Sequence, residues 1–381
     1  MSPNMFSIAI VSSREEFKAL EEPWNQLLAE SPSNTYFLRW EWMWSWWEAF
    51  GAAQGVLHIL VVKRGGRIVG IGPFYQATNK MGKVFPVRQL LFLGTSTSSV
   101  GDVGSEYLDL IIQGQQSLDI AQVMFEQILI ASAFQELVLL HVPAQSSTMQ
   151  CMLERADAAG FLCQELQRWQ CPYIALPASW EQFLETLGST MRYKFRKNLR
   201  ELEKHGDHAF RVTAAPDELE TDLEQLVRLH QARWESRGMS GVFADPQYHT
   251  FLKMVSRYAL QNGHLRLSLV TVSAKPLAAL FNVAYGNKIY YYQSGFDTSL
   301  DKKVAIGTFA HSLCLERAIN EKLEEYDFLL KGSLDTYKNR WTQQVREIVD
   351  YRLIAPGWPR ALARVESRAR QCVRRLRGGV S

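Results

Sequence analysis

The sequence predicts an α/β protein with mixed sheets, built from two similar domains. Paired strands joined by tight turns alternate with helical segments along the chain, which is typical of mixed rather than purely parallel sheets. The order helices, hairpin, strand, helix, strand occurs twice, and Arg67 and Lys275 take matching positions just after the two hairpin turns. A chain of 381 residues is long enough for two such domains.

Composition places the chain among ordinary globular proteins. Hydrophobic residues make up 47% and charged residues 21% of the sequence, which excludes wholesale disorder. A net charge of +3 does not favour nucleic acid, so we expect no DNA partner. The chain shows neither a signal peptide nor an apolar run of ~18 residues, which predicts a cytoplasmic protein.

Motif searches exclude most cofactor-dependent chemistries. The five cysteines form no CxxC pair and the eight histidines have no metal-ligand spacing, so we expect free thiols and no metal. P-loop, dinucleotide-binding and serine-hydrolase motifs are absent from the sequence. What remains is chemistry done by positioning and hydrogen bonding.

The first half begins with a short strand, after which Ser13 and Glu16 form a capping box for a helix starting at Arg14. The segment 36–50 contains five tryptophans and is predicted as a buried helix, because it is apolar nearly all round. Gly65 and Gly66 mark a hairpin turn. Further strands are predicted at 89–94, 106–112 and 136–141, and helices at 117–132 and 146–159.

The second half repeats this order. Helices are predicted at 187–205, 217–237, 246–261 and 304–320, with a short one at 334–341. Strands are predicted at 265–272, 277–285, 288–295, 325–330 and 349–354. The expected domains are 1–176 and 177–356, followed by a basic C-terminal helix at 357–381.

This repeated order resembles the GCN5-related N-acetyltransferase (GNAT) fold, present in tandem. Three segments of the second half are similar to a CelD/BcsL-type acyltransferase family that is associated with cellulose and exopolysaccharide synthesis and related to FemX peptidyltransferases. These segments are Leu229–Gly238 (LHQARWESRG), Phe243–Pro246 (FADP) and Tyr326–Trp341. The resemblance covers about residues 6–355.

The resemblance implies acyl transfer, with acetyl-CoA or another acyl-CoA as donor. The acceptor would be an amine or hydroxyl of a saccharide, another small molecule or a cell-envelope precursor. Aminoacyl transfer from a charged tRNA, as in FemX relatives, is the alternative enzyme. A non-catalytic scaffold of a polysaccharide synthesis machine is a third reading.

The resemblance also implies where the donor binds. Its pantetheine arm would follow the strand that carries Tyr291 and Gln293. Its pyrophosphate would meet the loop and helix start that carry Lys302, Lys303 and Gly307. Gly307 comes one residue later than the glycine of the superfamily loop.

Two candidate catalytic residues come from the last of the three segments, and the active site is expected in the second half. The resemblance matches Lys338 to an active-site lysine near the acyl donor, where it would stabilise an oxyanion and could be replaced by alanine without loss of folding. Asp327, in a predicted buried strand, needs a cationic partner, for which Lys338, Lys331 and Arg340 are candidates. Structural pairing of Asp327 is as consistent with the sequence as catalysis.

Two further candidate bases are His230 and Asp109. His230, Trp234 and Arg237 recur at helical spacing, so a base, an aromatic wall and an anion clamp share one side. A partly buried histidine with satisfied hydrogen bonds is the simpler interpretation. Asp109, in the predicted strand 106–112, is a candidate base on the acceptor side, facing the second half.

A cationic row is predicted on the helix 187–205. Arg192, Arg196, Arg200 and Lys204 recur every four residues, which would suit a phosphorylated donor or a lipid-pyrophosphate sugar. A solvated helix face is the alternative. Tyr337, beside Lys338, is expected to contact the substrate.

The C-terminal segment 359–381 contains seven arginines and one glutamate. Small and apolar residues recur in it at helical spacing, which predicts a helix that makes peripheral contact with an anionic membrane surface. The alternative is a helix whose apolar stripe packs on the second domain.

Overall fold

A computed structural model describes residues 6–81, 84–98, 100–114, 117–131, 134–204, 206–297, 304–332 and 337–363. The chain folds as two compact units: unit 1 is Met1–Trp169 with Glu347–Ser381, and unit 2 is Gln170–Arg346. The sequence-based boundaries at 176 and 356 differ from these, because residues 347–354 belong to a strand that pairs inside unit 1. The mixed α/β class is confirmed.

Unit 1 contains short helices and two sheets. Its helices are α1 (Arg14–Ala19), α2 (Glu21–Ala29), α3 (Trp40–Trp46), α4 (Ala52–Gln54), α5 (Ser117–Glu126) and α6 (Ser147–Ala158). Its strands are β1 (Phe6–Val11), β2 (Val56–Leu57), β3 (Ile59–Arg64), β4 (Arg67–Gly72), β5 (Phe74–Met81), β6 (Phe85–Phe92), β7 (Ile111–Ile112), β8 (Glu136–Pro143) and the start of β9 (Leu162–Ala175). Strand β15 (Val345–Ile354) returns to it.

The two sheets of unit 1 differ in direction. The order β1-β3-β4-β7 is antiparallel throughout. In the order β15-β8-β6-β5-β2, only the β6–β8 pair is parallel. The tryptophan-rich segment is buried, as predicted: the rings of Trp40, Trp42, Trp44 and Trp46 are in the core, and a π-helical turn follows α3. The capping box of Ser13 and Glu16 is also present.

Unit 2 carries the longer helices. They are α7 (Trp180–Thr186), α8 (Ser189–Glu203), α9 (Pro216–Glu235), α10 (Pro246–Gln261) and α11 (Ile306–Asn320). Its strands are β10 (His208–Val212), β11 (Leu265–Val272), β12 (Lys275–Tyr285), β13 (Lys288–Phe296), β14 (Glu325–Asp327) and the end of β9, in the order β10-β11-β12-β13-β14-β9. Only β13 and β14 are parallel.

Three predicted elements are wrong in extent. The strand expected at 106–112 is reduced to β7, because Tyr107 takes a left-handed φ of 56°. The helix expected at 187–205 is observed as α8, Ser189–Glu203, and begins two residues later because Leu187 has an extended ψ of 141°; the separate helix α7 precedes it. Strand β14 ends at Asp327, because Leu329 also takes a left-handed φ of 58°.

The predicted C-terminal helix is described only at its start. Residues 358–363 are helical, and Ala363 packs against Met81, Val87 and Ile354 within unit 1. This turn therefore contacts the first unit, whereas the sequence analysis considered packing on the second domain. Residues 364–381 lie outside the described part of the chain. Among the described helices, none has both the length and the apolar character needed to cross a bilayer.

Helix α9 approaches β13 closely because of Gly295. A Cβ atom built on Gly295 would lie 2.4 Å from the backbone nitrogen of His230 and 2.7 Å from the carbonyl carbon of Leu229. Both partners are backbone atoms, which cannot turn away as a flexible side chain would. The glycine therefore sets the distance between α9 and the strand that organises the candidate site.

We expect Gly295→Ala to lower the free energy of unfolding by about 1–3 kcal/mol, because the added methyl group overpacks the α9–β13 contact. Gly188→Ala is the matched control: it has open space within 4 Å and should change stability by less than about 0.5 kcal/mol. Chemical denaturation of the two variants measures the difference, and equal stabilities would contradict this account of the packing.

Candidate active site

The candidate site lies where two parallel strands separate. The pairing of β13 with β14 ends at Tyr290 and Asp327, whereas β13 continues to Phe296. A bulge places Tyr292 between the residues that pair with Phe281 and Asn282 of β12. The part of β13 from Tyr291 onward therefore has an edge that β14 does not cover.

Lys338 lies beside this divergence and is buried. Its Nζ atom donates to the carbonyl oxygens of Phe328 at 2.8 Å, Leu329 at 3.4 Å and Leu330 at 2.6 Å. The left-handed Leu329 turns these carbonyls toward the ammonium. Because an ammonium has three N–H donors, Lys338 is already saturated and holds the turn after β14. The lysine is near the expected place, but its donors are committed to the backbone.

Asp327 is paired with a different cation from those expected. Its Oδ2 atom accepts from Arg346 at 3.2 Å, and its Oδ1 atom accepts from the backbone N–H of Leu329 at 2.8 Å. The Arg346 guanidinium also contacts Glu325 and lies 3.9 Å from the ring centroid of Tyr173. Arg346 of β15 is therefore a partner of this carboxylate that the sequence analysis did not consider. These contacts assign Asp327 to positioning the turn.

His311 on α11 is the central residue that the sequence analysis missed. Its ring centroid lies 4.5 Å from that of Tyr291 and 5.9 Å from that of Tyr337. Its Nδ1 atom is hydrogen-bonded to Tyr326 Oη at 3.1 Å, and its Nε2 atom has no partner among the described residues. Burial, followed by the charges of Lys338 and Arg233, lowers the pKa of His311 to about 3. The imidazole is therefore neutral at physiological pH.

Tyrosine hydroxyls connect Lys338 to β13. Tyr337 Oη donates to Tyr291 Oη at 3.2 Å, and Tyr291 Oη shares a hydrogen bond of 2.5 Å with Ser294 Oγ. The Nζ atom of Lys338 is 5.9 Å from the Tyr291 ring centroid. The structure thus brings together three predicted residues, Tyr291, Tyr337 and Lys338.

Helix α9 contributes a second cation. The guanidinium of Arg233 lies 4.9 Å from the ring centroid of Phe296, and no carboxylate among the described residues forms an ion pair with it. The sequence analysis did not select Arg233, although it lies three residues after His230 and so on the same side of the helix. Together with Lys338 it makes the region around His311 electropositive.

The other α9 candidates form a neighbouring cluster. Burial lowers the pKa of His230 to about 4, and its Nδ1 atom lies 3.2 Å from Gln231 Oε1. The His230 ring packs 4.9 Å from Phe243 and 5.9 Å from Trp234. The guanidinium of the exposed Arg237 lies 5.9 Å from the Trp234 ring. This matches the simpler interpretation of His230, since a histidine with so low a pKa is a weak base.

Gln293 does not join the Tyr291 cluster. Its Nε2 atom donates to Tyr248 Oη on α10 at 3.0 Å, and Tyr248 Oη donates to Tyr292 Oη at 3.0 Å. The bulge at Tyr292 explains this, because it changes the alternation of side chains along β13. Gln293 and Tyr291 therefore contact different helices.

The start of α11 holds a buried donor without a partner. Asn198 of α8 is only 3% exposed; its Oδ1 atom accepts from the backbone N–H of Ala305 at 3.3 Å, whereas its Nδ2 atom has no partner among the described residues. Gly307 lies in the first turn, where a Cβ atom would be 3.3 Å from the Phe296 ring. Lys302 and Lys303 lie outside the described residues.

The predicted cationic row on α8 is interrupted. Arg192 Nη1 donates to the carbonyls of Leu184 at 3.2 Å and Leu187 at 2.7 Å, so it caps the end of α7. Lys204 is paired with Glu201 at 2.8 Å. The Arg196 side chain is outside the described part of the structure. One guanidinium nitrogen of Arg192 is therefore committed to backbone carbonyls at the end of α7.

A cavity of about 480 Å³ lies next to the cluster. Trp341 belongs to both, since it lines the cavity and its ring centroid lies 6.3 Å from that of His311. The walls come from the ends of β9 and α7, the start of α8 and residues 339–344. The polar lining side chains are Thr186, Asn339, Arg340, Thr342, Gln343 and Gln344.

Asp109 is in unit 1 and follows the left-handed Tyr107. Its Oδ2 atom accepts from Ser146 Oγ at 2.5 Å, and its Oδ1 atom accepts from the backbone N–H of Leu110 at 2.7 Å. Burial raises the pKa of Asp109 to about 6, against the lowering effect of these two hydrogen bonds. Its carboxylate therefore titrates close to neutral pH, although it lies outside any strand.

Residues 189–339 match the family model described as "Acetyltransferase (GNAT) domain". The matched residues include α9, α11, β13, β14 and Lys338. The place where β13 and β14 separate therefore lies within the match. A search of curated proteins finds no match.

Solved structures with the same fold span both units. The crystal structure of FemX is similar with a TM-score of 0.58 at 11% identity, over 86% of this chain and 95% of that chain. A conserved protein of unknown function from Bacteroides thetaiotaomicron gives 0.53 at 12% identity, over 92% and 100%. The C-terminal domain (DUF2156) of an Agrobacterium fabrum protein described as a lysylphosphatidylglycerol synthetase gives 0.51 at 10% identity, over 92% and 96%. At these identities the similarity concerns the fold, and it confirms the predicted fold of GNAT type.

Proposed function

We propose that unit 2 is an acyltransferase that uses an acyl-coenzyme A donor and an amine or hydroxyl acceptor. The observation that carries the proposal is the edge of β13 beyond Tyr290, which β14 does not cover, together with the start of α11 at Ile306. Main-chain groups on such an edge suit the amides of a pantetheine arm, which can add to it as a strand would. The match of residues 189–339 to the GNAT acetyltransferase domain supports the same donor.

The start of α11 fits the diphosphate of coenzyme A. A helix of 15 residues presents free N–H groups and a positive dipole end at its N-terminus. Asn198 Nδ2 is a buried donor at this place that has no partner among the described residues, and a buried donor is costly unless something accepts from it. Because Gly307 has no side chain, the first turn of α11 can lie close to Phe296 of β13.

The donor, when bound, supplies an acyl group activated as a thioester. The residues of this chain would bind it, exclude water and stabilise charge. Lys338 and Arg233 provide positive potential for a developing oxyanion. The hydroxyls of Tyr337, Tyr291 and Ser294 form a chain of hydrogen bonds along which a proton at Tyr291 Oη can be held or passed.

We further propose a saccharide or cell-envelope precursor as acceptor. The cavity beside Trp341 supports this, because amide, hydroxyl and guanidinium groups next to an aromatic ring suit a polyhydroxylated ligand. The resemblance of three segments to CelD/BcsL-type acyltransferases points to the same class. Trp234 and Arg237 would contact the acceptor only if it extends along α9.

A second candidate is aminoacyl transfer from a charged tRNA. The similarity in fold to FemX supports it. The two donors are separated by ligand binding: coenzyme A should raise the melting temperature under the main proposal, and a charged tRNA under the alternative. A scaffold without activity would show neither effect.

Asn198→Asp should weaken coenzyme A binding at least roughly 10-fold, because a carboxylate replaces the donor that faces the diphosphate. The Asp side chain keeps the Oδ1 acceptor for Ala305, so the fold should persist. Isothermal titration with coenzyme A is the measurement. Asn287→Asp, in the exposed β12–β13 turn, is the control for the added charge and should bind normally. Wild-type protein that binds no coenzyme A would overturn the donor assignment.

Lys338→Met should destabilise the fold by about 2–4 kcal/mol, because three carbonyls lose their donor. The expectation from sequence that the lysine can be removed without loss of stability is therefore revised. Chemical denaturation measures the stability, and turnover of the folded fraction should also fall, because the site loses the positive potential of the ammonium and the turn after β14 loses its donor. Lys331→Ala is the neighbouring control. A Lys338→Met protein as stable as wild type would contradict the geometry.

Asp109 is proposed as a proton acceptor of unit 1, because a carboxyl with a pKa of about 6 is more basic than an ordinary one. Since this pKa is raised above the ordinary 3.8, the wild-type protein loses stability as pH rises from about 4 to 6. The Asp109→Asn variant has no carboxyl to titrate at this position and does not lose this stability. The free energy of unfolding of the variant minus that of the wild type should therefore rise by up to about 3 kcal/mol between pH 4 and pH 7.

Denaturation curves at the two pH values test this, with the exposed Asp102→Asn as control. A stability difference that does not change with pH would show that Asp109 has an ordinary pKa. Loss of turnover in a stable Asp109→Asn protein would support the catalytic proposal, and full turnover would remove it.

A further inference from the structure

The imidazole of His311 lies at the point where β13 and β14 separate. Tyr290 and Asp327 are the last residues of the two strands that pair, so Tyr291 and Phe328 are the first residues beyond the pairing. The His311 ring centroid is 4.5 Å from that of Tyr291 and 5.5 Å from that of Phe328. A side chain of α11 therefore occupies the fork between the two strands.

The two ends of the exposed stretch of β13 meet different parts of α11. Phe296, the last residue of β13, lies beside the first turn of the helix, since a Cβ atom on Gly307 would be 3.3 Å from its ring. Tyr291, at the other end, lies beside His311. His311 follows Ile306, the first helical residue, by about 7.5 Å along the helix axis. A donor with its diphosphate at the helix start and its arm along β13 therefore brings its thioester toward His311.

The fork has few hydrogen-bond donors for a thioester oxygen. The Nζ atom of Lys338 donates to three backbone carbonyls, so it contributes charge to the site while its N–H groups hold the turn. The guanidinium of Arg233 lies over the Phe296 ring, at the opposite end of the exposed stretch. The Nε2 atom of His311 has no hydrogen-bond partner among the described residues. Because a developing oxyanion needs donors directed at it, this nitrogen is the candidate.

The hydrogen bond between His311 and Tyr326 determines which ring nitrogen carries the hydrogen. The Nδ1 atom lies 3.1 Å from Tyr326 Oη, and Tyr326 is fully buried. If Tyr326 donates to Nδ1, its hydroxyl hydrogen is satisfied. The reverse arrangement leaves a buried O–H without an acceptor among the described residues, which is costly. Since the imidazole is neutral, Nδ1 accepts and Nε2 carries the hydrogen.

We propose that His311 is a further catalytic residue, whose Nε2–H donates to the carbonyl oxygen of the bound thioester. The amine or hydroxyl of the acceptor attacks the carbonyl carbon, and the electron pair of the C=O bond moves to the oxygen that Nε2–H holds. When the C=O bond forms again, the C–S bond breaks. The thiolate of coenzyme A leaves and takes up the proton that the acceptor loses.

Access to Nε2 requires a neighbouring ring to turn, because His311 is only 1% exposed. Tyr337 is half-buried, whereas the rings of Tyr291, Phe328 and Trp341 are buried. Tyr337 is therefore the side chain that gives way to the acyl group. This inference rests on the proposed acyl-coenzyme A donor, and its test is chosen so that the two can fail separately.

The first test is the infrared carbonyl band of acetyl-coenzyme A, labelled with carbon-13 at the carbonyl and bound to the full chain. A hydrogen bond from Nε2 weakens the C=O bond, so the bound thioester should absorb at lower wavenumber than the free one. His311→Asn keeps an oxygen that can accept from Tyr326 but has no atom at the Nε2 position, and it should lose this shift. His311→Gln places an amide N–H near the Nε2 position and should retain it. His264→Asn, which removes a half-buried imidazole beside Tyr285, is the control and should leave the shift unchanged.

Calorimetric titration with coenzyme A separates the inference from the proposed function. Coenzyme A has no acyl carbonyl, so it should bind both His311 variants as it binds the wild type. Binding of acetyl-coenzyme A to the wild type without a carbonyl shift would overturn the role of His311 and leave the donor assignment intact. An equal shift in His311→Asn and wild type would do the same, whereas a wild type that binds neither molecule would overturn both proposals.

Nitrogen-15 NMR of the wild-type histidines keeps the test valid if the His311 variants fail to fold. The His311 signals, assigned through their contact with the Tyr291 ring protons, should show the hydrogen on Nε2. The Nε2 signal should move further with acetyl-coenzyme A than with coenzyme A. A hydrogen on Nδ1 would contradict the proposal, as would identical His311 signals with the two molecules.

Discussion

The turn after β14 is the constraint on which the candidate site depends. The left-handed Leu329 ends the strand and directs three consecutive carbonyls inward. Buried carbonyls need donors, and Lys338 supplies all three. Asp327 and Arg346 hold the same turn from the β9 and β15 side. As a result β14 leaves β13 after three paired residues, and the far half of β13 has an edge that β14 does not cover.

The electrostatics of the cluster follow from this arrangement. Asp327 is paired with Arg346, which also pairs with Glu325. Arg233 approaches from α9 and lies on Phe296. The two cations and the burial together keep the His311 imidazole neutral. A neutral imidazole with an unpartnered nitrogen can donate or accept a hydrogen bond without bringing a third positive charge into the site.

Local patterns predicted most of the elements, and long-range contacts account for the errors. The capping box at Ser13, the tryptophan helix and the hairpin around Gly65 all depend on near neighbours in the chain, and the structure contains each of them. The extents of β7 and β14 could not be predicted, because Tyr107 and Leu329 are residues that rarely take a left-handed φ. Such a conformation is maintained by the surrounding packing.

The site residues also divide into those that the sequence indicated and those that depend on long-range contacts. Lys338, Tyr337 and Tyr291 were found through the resemblance of the segments that carry them. The partner of Asp327 could not be found, because Arg346 is brought to it by the sheet order β14-β9 and the strand that follows. His311 was also missed, since a histidine among apolar residues of a helix has no distinguishing spacing. Its neighbours come from β13, β14 and the segment 337–341, which are distant from it in the sequence.

The two units share one sheet order but not one site. In unit 1 the strands β1-β3-β4-β7 are antiparallel in the same way as β10-β11-β12-β13 in unit 2. Strand β7 has two residues, however, whereas β13 has nine. An extended donor such as a pantetheine arm needs several consecutive main-chain groups in strand conformation. In unit 1 the corresponding residues are not in strand conformation. Tyr107 has a left-handed φ, and the Asp109 carboxylate accepts hydrogen bonds from Ser146 and from the backbone N–H of Leu110. Among the described residues, the repeat therefore provides the scaffold twice, and the long strand that the proposed donor requires occurs in the second copy.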